Sequence, residues 1–106
     1  MKGTRTPLHY DSLDNIFVQI CGYKYVRLYG TDETNKLYVM KNKTYGKQGN
    51  MSAINCERED FQKYPLAATA RFDEAILAPG DALFIPSSVW HYVRGMTPSV
   101  SVNFWS

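Results

Sequence analysis

What most constrains this chain is the rhythm of its apolar runs. NIFVQI, YKYVRLY, AIL, ALFI, YVR and VSVNFW are each three to seven residues long and rich in β-branched and aromatic types. Between them stand turn formers: Cys21-Gly22, Pro79-Gly80-Asp81 and Pro86-Ser87-Ser88. Short strands at close spacing, with no helical period between them, predict an all-β sandwich or barrel and exclude a βαβ arrangement. No internal repeat is present. The chain has 106 residues, 44% of them hydrophobic, enough for one domain with a modest core.

The spacing predicts strands over residues 15–20, 23–29, 75–77, 82–85, 92–94 and 100–105. Cys21-Gly22 reads as a two-residue turn, so the first two strands are expected to form a hairpin. Residues 30–55 turn polar, with TDETNK and KNKTYGKQGN around the short apolar LYVM, and read as a long excursion of loops. Residues 57–63 are expected to make a helical turn or two, ended by Pro65.

Composition removes several function classes. The net charge of +2 comes from scattered Lys and Arg, which form no stripe for nucleic acid. The N-terminus MKGTRTPLHY lacks an apolar signal region and no run is long enough for a transmembrane helix, so no membrane association is expected. Cys21 and Cys56 are read as free thiols in a reducing compartment, which points to the nucleus or cytoplasm.

The only two histidines are His9 and His91, and Asp11 completes an HxD pattern with the first. On an extended strand, residues two apart project from one face, so His9 and Asp11 reach a single ion together. HxD alone is a short pattern that chance supplies. Its weight comes from the joint occurrence with His91, which follows the strand-and-turn run PGDALFIPSSVW. Two imidazoles and a carboxylate form the facial triad that leaves coordination positions open on non-haem Fe(II).

The expected hairpin carries a second piece of chemistry. With Cys21-Gly22 as the loop, Gln19 lies opposite Lys24, Phe17 opposite Val26 and Asn15 opposite Leu28, all on one sheet face. A lysine among apolar neighbours asks for an anionic ligand. Ile16, Val18, Ile20 and Tyr25 make the other face equally apolar, so alternation leaves open which face is inside.

The segments TPLHYD, NIFVQICGYKYVRLY, LAPGDALFIPSSVWHYVRG and SVSVNFWS resemble, in order and spacing, the core of the jumonji C (JmjC) oxygenases, nearest their arginyl-hydroxylase and lysine-specific demethylase branch. The resemblance implies a double-stranded β-helix, a cupin-like jelly roll, with residues 1–106 as its catalytic core and a loop insertion between the early and late strands. It implies Fe(II) held by His9, Asp11 and His91. It also implies 2-oxoglutarate held by Thr6, Asn15 and Lys24, with Asn103 beside it. Members of the family carry further strands, and a tyrosine that touches the cosubstrate, ahead of the HxD motif. The expectation is therefore an N-terminally truncated core with an exposed sheet edge through which homodimers form.

The activity implied is hydroxylation of a protein side chain, an arginine first, in a histone or in a ribosomal or chromatin-associated protein. N-methyl-lysine demethylation and a noncatalytic interaction module are the alternatives. Residues 30–55, with Tyr38 and Tyr45, are expected to wall a peptide groove, and Asp32, Glu33 and Glu74 are candidates to grip a cationic side chain.

Overall fold

The computed structural model describes residues 5–41, 48–58 and 61–106. Among the described residues eight strands run in the order β1 (Asn15–Cys21), β2 (Lys24–Tyr29), β3 (Val39–Lys41), β4 (Gln48–Ser52), β5 (Asp73–Leu77), β6 (Ala82–Ile85), β7 (Trp90–Gly95) and β8 (Val100–Trp105). Two antiparallel three-stranded sheets result, ordered β6-β1-β8 and β5-β2-β7. Single bridges from Arg5 to Arg94 and from His9 to His91 lay the N-terminal segment along β7 and extend the second sheet. The strands expected at 82–85 and 100–105 appear at those residues, and the others differ only at their ends. The architecture is the expected all-β jelly roll.

The hairpin is not formed. β1 and β2 lie in different sheets, so Gln19 and Lys24 are not cross-strand partners. The chain turns a corner at Gly22, where φ is +75° and an added Cβ would lie 2.2 Å from the Pro98 carbonyl oxygen. The Gln19 side chain holds this corner by donating from Nε2 to the carbonyls of Cys21 and Gly22, each at 2.9 Å. A bulge between Gln19 and Cys21 re-aims the strand just ahead of it. A corner of this kind lets consecutive strands switch sheets, and each then pairs with a distant strand.

Sheet packing also settles which face is inside. Asn15, Phe17 and Gln19 point inward and are buried, whereas Ile16 and Ile20 are exposed. Between the sheets lies a small core of Phe17, Val26, Leu77, Ile85 and Val93.

A larger core sits on the outer face of the β5-β2-β7 sheet, and the polar excursion builds it. Thr31–Lys36 is a 3-10 helix, β3 pairs with β4, and Pro65–Thr69 is a second 3-10 helix. These elements bring Leu37, Ile54, Cys56 and Ala67 onto Leu8, Tyr29, Trp90 and Tyr92. The Trp90 indole donates to Thr34 Oγ1 at 2.9 Å, so its polar edge is satisfied inside this core. The excursion is thus a packed cap and not loops alone. Pro65 opens the helical piece and does not end it, because at a first helical position its missing N–H costs nothing. Residues 61–63 form a turn, and 59–60 lie outside the described residues. Neither Cys21 nor Cys56 forms a disulfide. No helix among the described residues is long and apolar enough to cross a membrane.

Candidate metal centre and cosubstrate cavity

His9 and His91 face each other across a backbone-bonded antiparallel pair. His9 N–H donates to the His91 carbonyl at 3.1 Å, and His91 N–H to the His9 carbonyl at 2.7 Å. Their rings are therefore side by side, with centroids 4.3 Å apart. Asp11 follows just past this bridge in irregular chain ahead of a bend at residues 12–13, not on a continuous strand as expected. Its carbonyl accepts from Ser88 N–H at 2.8 Å, and Asp14 Oδ1 accepts from Ser87 N–H at 2.7 Å. The turn after His9 is thereby tied to the turn before β7.

Each imidazole is oriented by its own strand. Nδ1 of His9 meets the Pro7 carbonyl at 2.8 Å, and Nδ1 of His91 meets the Val89 carbonyl at 3.0 Å. A carbonyl only accepts, so Nδ1 carries a proton in both rings and Nε2 is the nitrogen left to face Asp11. Burial, with repulsion from His9, holds the His91 ring below the ordinary histidine range and keeps it neutral. Asp11 Oδ2 lies 3.6 Å from His9 Nε2 and 3.3 Å from His91 Nε2, is buried, and accepts no hydrogen bond.

One ligand atom from each of the three residues thus falls within 4.8 Å of the others. Adjacent ligands on bonds of about 2.1 Å stand about 3 Å apart, so the set needs only a small contraction to close on an ion. A buried carboxylate oxygen without a hydrogen-bond partner, facing two imidazole nitrogens, is the arrangement a cation would satisfy. The donor set, two imidazoles and one carboxylate, fits Fe(II).

Beside the triad opens a cavity of about 230 Å³ between the two sheets. Thr6, Asn15, Lys24 and Asn103 all line it, together with His9 and His91. The shared placement of Asn15 and Lys24 does not come from a hairpin; each reaches the cavity from a different sheet. Lys24 Nζ donates to Ser101 Oγ and lies 5.3 Å from the centroid of the Phe17 ring. Burial without a carboxylate partner pushes this ammonium below the usual lysine range. Thr6 Oγ1 accepts from Val93 N–H at 3.1 Å, which leaves the threonine proton free to donate. Asn15 Nδ2 donates to Asn103 Oδ1 at 2.9 Å, and Asn15 Oδ1 is buried without a partner.

Ser101 and Trp105 also line the cavity and were not singled out from the sequence. The signal existed: residues 101, 103 and 105 share one face of a strand, and Asn103 was already among the candidates. A larger depression of about 320 Å³, bordered by Arg5, Pro7, Ile54 and Tyr92, contains none of the triad. Chemistry, not size, selects the smaller cavity.

The residues expected to wall a groove divide between the outer cap and a depression beside β2. Tyr38 packs on Tyr64 and accepts at its hydroxyl from Leu66 N–H, as part of the outer cap. Tyr45 lies outside the described residues. Glu74 accepts from the Tyr25 hydroxyl at 2.6 Å, and Glu33 is held by Lys36 at 3.1 Å and by Arg71 N–H at 2.6 Å. Asp32 borders a depression with Leu28, Phe72 and Asp73, and Leu28 is paired with His91.

Comparison with known proteins agrees with this geometry. The Cupin-like domain family matches residues 1–105. JmjC domain-containing protein F of Dictyostelium discoideum is 44% identical over 96% of the chain, which covers 24% of that protein. Lysine-specific demethylase 8 of Xenopus tropicalis is 43% identical over 97% of the chain and 23% of its own length. For Jumonji C domain-containing protein 5 of Drosophila melanogaster the figures are 38%, 97% and 25%. The chain spans about a quarter of the length of these relatives. With a family match over almost every residue and a His-Asp-His triad between two sheets, the chain belongs to the JmjC family of cupin-like domains.

Proposed function

We propose that this chain is the metal- and cosubstrate-binding core of an Fe(II)- and 2-oxoglutarate-dependent oxygenase acting on protein side chains. The observation that carries the reading is the pairing of two half-sites in one cavity: two imidazoles with an unsatisfied carboxylate oxygen at one end, and an ammonium without a carboxylate partner beyond them. A dicarboxylic cosubstrate suits that pairing, since one end can chelate a metal while the other neutralises Lys24.

The chain's own residues then have distinct tasks. His9, Asp11 and His91 would hold the metal, a ligand set that suits a ferrous ion. Lys24 anchors the distal carboxylate. Ser101 spends its lone pair on the ammonium, so its proton joins that of Thr6 as a donor to the same group. Asn15 and Asn103, whose side chains are joined by the hydrogen bond from Asn15 Nδ2 to Asn103 Oδ1, steer the polar end near the metal. Phe17 and Val93 keep the stem of the ligand dry. The chemistry supplied by a bound ferrous ion with 2-oxoglutarate and O2 is oxidative decarboxylation coupled to hydroxylation of a substrate carbon.

For the substrate, arginine hydroxylation is our first reading. Recognition of a methylated ammonium uses an aromatic cage, whereas Phe17 and Trp105 are the only aromatic side chains bordering the cavity among the described residues. The neighbouring depression carries the carboxylates of Asp32, Glu33 and Asp73 against the single cation Arg71, an acidic balance that suits a guanidinium. Lysine demethylation is the second reading, favoured by the names of Lysine-specific demethylase 8 and Lysine-specific demethylase JMJ30. Anaerobic titration with Fe(II) and 2-oxoglutarate tests the core claim: a visible charge-transfer band is expected, and its absence at saturating concentrations refutes the reading. Mass spectrometry of arginine and methyl-lysine peptides separates a retained oxygen from loss of a methyl group as formaldehyde.

A further inference from the structure

The cross-strand row that carries His91 ends on a carboxylate. In the β5-β2-β7 sheet His91 stands opposite Leu28, and Leu28 opposite Asp73. Residues paired directly across strands share a sheet face. His91 faces the metal cavity and Leu28 packs on the core between the sheets, so Asp73 belongs to the inner face as well. Two strand spacings place it about 10 Å from His91 along this row. Leu28 and Asp73 together border a small cavity of about 150 Å³, walled by the aliphatic side chains of Val26, Ala75 and Leu83. Both also border the acidic depression outside it, so the apolar space and the depression meet at this carboxylate.

We propose that Asp73 is the specificity-determining residue of the substrate site, accepting the guanidinium head of an arginine whose aliphatic stem lies along Leu28 toward the triad. The inference rests on the function proposed above and names the group that selects its substrate. The other acidic side chains nearby are spent or misplaced. Glu33 accepts from Lys36 and from Arg71 N–H, and Glu74 from the Tyr25 hydroxyl. Asp32 stands on the 3-10 helix, outside the strand row. Asp73 has no hydrogen bond or ion pair among the described residues, and the Arg71 side chain turns to Glu33 at 3.8 Å. A planar guanidinium meets a carboxylate through two parallel hydrogen bonds, whereas a methylated ammonium needs an aromatic cage. Phe72 is the only aromatic residue bordering the depression among the described residues, and Arg27 already lies over its ring at 4.0 Å. A cation held at Asp73 stands apart from the triad, so the substrate presents its stem carbons and not its nitrogens to the metal ligands.

The test titrates N-acetyl-arginine methylamide into the isotope-labelled chain and follows it by NMR, with the neutral citrulline compound and the dimethyl-lysine compound beside it. Shifts at Leu28 and Asp73 are expected for the arginine compound. Binding should weaken about fivefold in Asp73→Asn, the value of one exposed charge pair, and recover in Asp73→Glu. Equal binding of the citrulline or dimethyl-lysine compound overturns the proposal, as do shifts confined to His9 and Asp11 or an Asp73→Asn variant that binds like the parent. The location of the shifts is read in the parent chain, so the test survives a variant that fails to fold. The anaerobic titration with Fe(II) and 2-oxoglutarate, run on the same proteins, separates the two claims. Absence of the charge-transfer band in the parent removes the function on which the inference rests, whereas an intact band with arginine binding insensitive to Asp73 removes this inference alone.

Discussion

The two sheets of this domain carry apolar outer faces and treat them differently. On β5-β2-β7 the face is covered: Tyr29, Trp90 and Tyr92 are almost fully buried and pack with Leu37, Ile54, Cys56 and Ala67. On β6-β1-β8 the corresponding face is open, and Phe84 and Phe104 are more than half exposed. The capped sheet and the segment along it carry His9, His91 and Lys24, whereas the open sheet contributes Asn15, Ser101 and Asn103. The groups with the strictest geometric demand thus stand on the sheet that is packed from both sides. Ligand groups need support from behind to hold their positions, and a bare sheet provides less of it.

This contrast can be broken by substitution. The largest effect is expected at Trp90, which has 1% of its surface exposed and meets Tyr10 edge-on at 4.9 Å. Trp90→Ala should cost about 3 to 5 kcal/mol in urea unfolding, and a loss below 1 kcal/mol would show that the cap does not support its sheet. His91→Ala should weaken Fe(II) binding, measured by calorimetry under argon, by more than the roughly 100-fold that a lost outer-shell partner costs. His9→Ala should match it, and near-native affinity in either variant would remove the triad assignment.

Lys24→Ala should leave metal affinity unchanged and weaken 2-oxoglutarate by about 2 kcal/mol, roughly thirtyfold, at the low end for a broken charge pair because the ammonium is only part-buried. Ser101→Ala, on the open sheet, should cost about 1 kcal/mol in the same titration, the value of one hydrogen bond. A larger loss at Ser101 than at Lys24 would invert the assignment of the anchor.

The metal-free protein should also lose stability in acid through His91. Its folded value is lowered, so the neutral ring is the native form while the unfolded chain takes up a proton near pH 6.5. The contribution is complete above that pH and is lost as pH falls from about 6.5 toward the folded value. Urea midpoints from pH 7.5 to 5 should show the decline, and His91→Gln should flatten it. The smallest effect belongs to the open face: Phe104→Ser should change the stability of the monomer by no more than about 0.5 kcal/mol. A loss like that of Trp90 would mean that this face is covered within one chain.

Much of the strand inventory was legible in the sequence, because alternation and turn residues are local signals: the strands at 82–85 and 100–105 were read to the residue. The triad was legible too, since the chain has no other histidine and Asp11 stands two residues from one of them. Pairing was not. Gly22 at a sheet-switching corner and a glycine in a hairpin have the same local signature, and only the contact with Pro98 and Ser99 tells them apart. The inward face of β1 was equally hidden. Its polar side is inside, Asn15 lining the cavity and Gln19 holding the corner at Gly22, while its aliphatic side faces out. A period of two says that a strand has two faces; which of them is buried depends on what the rest of the chain lays over each, and that is a property of the assembled sheets.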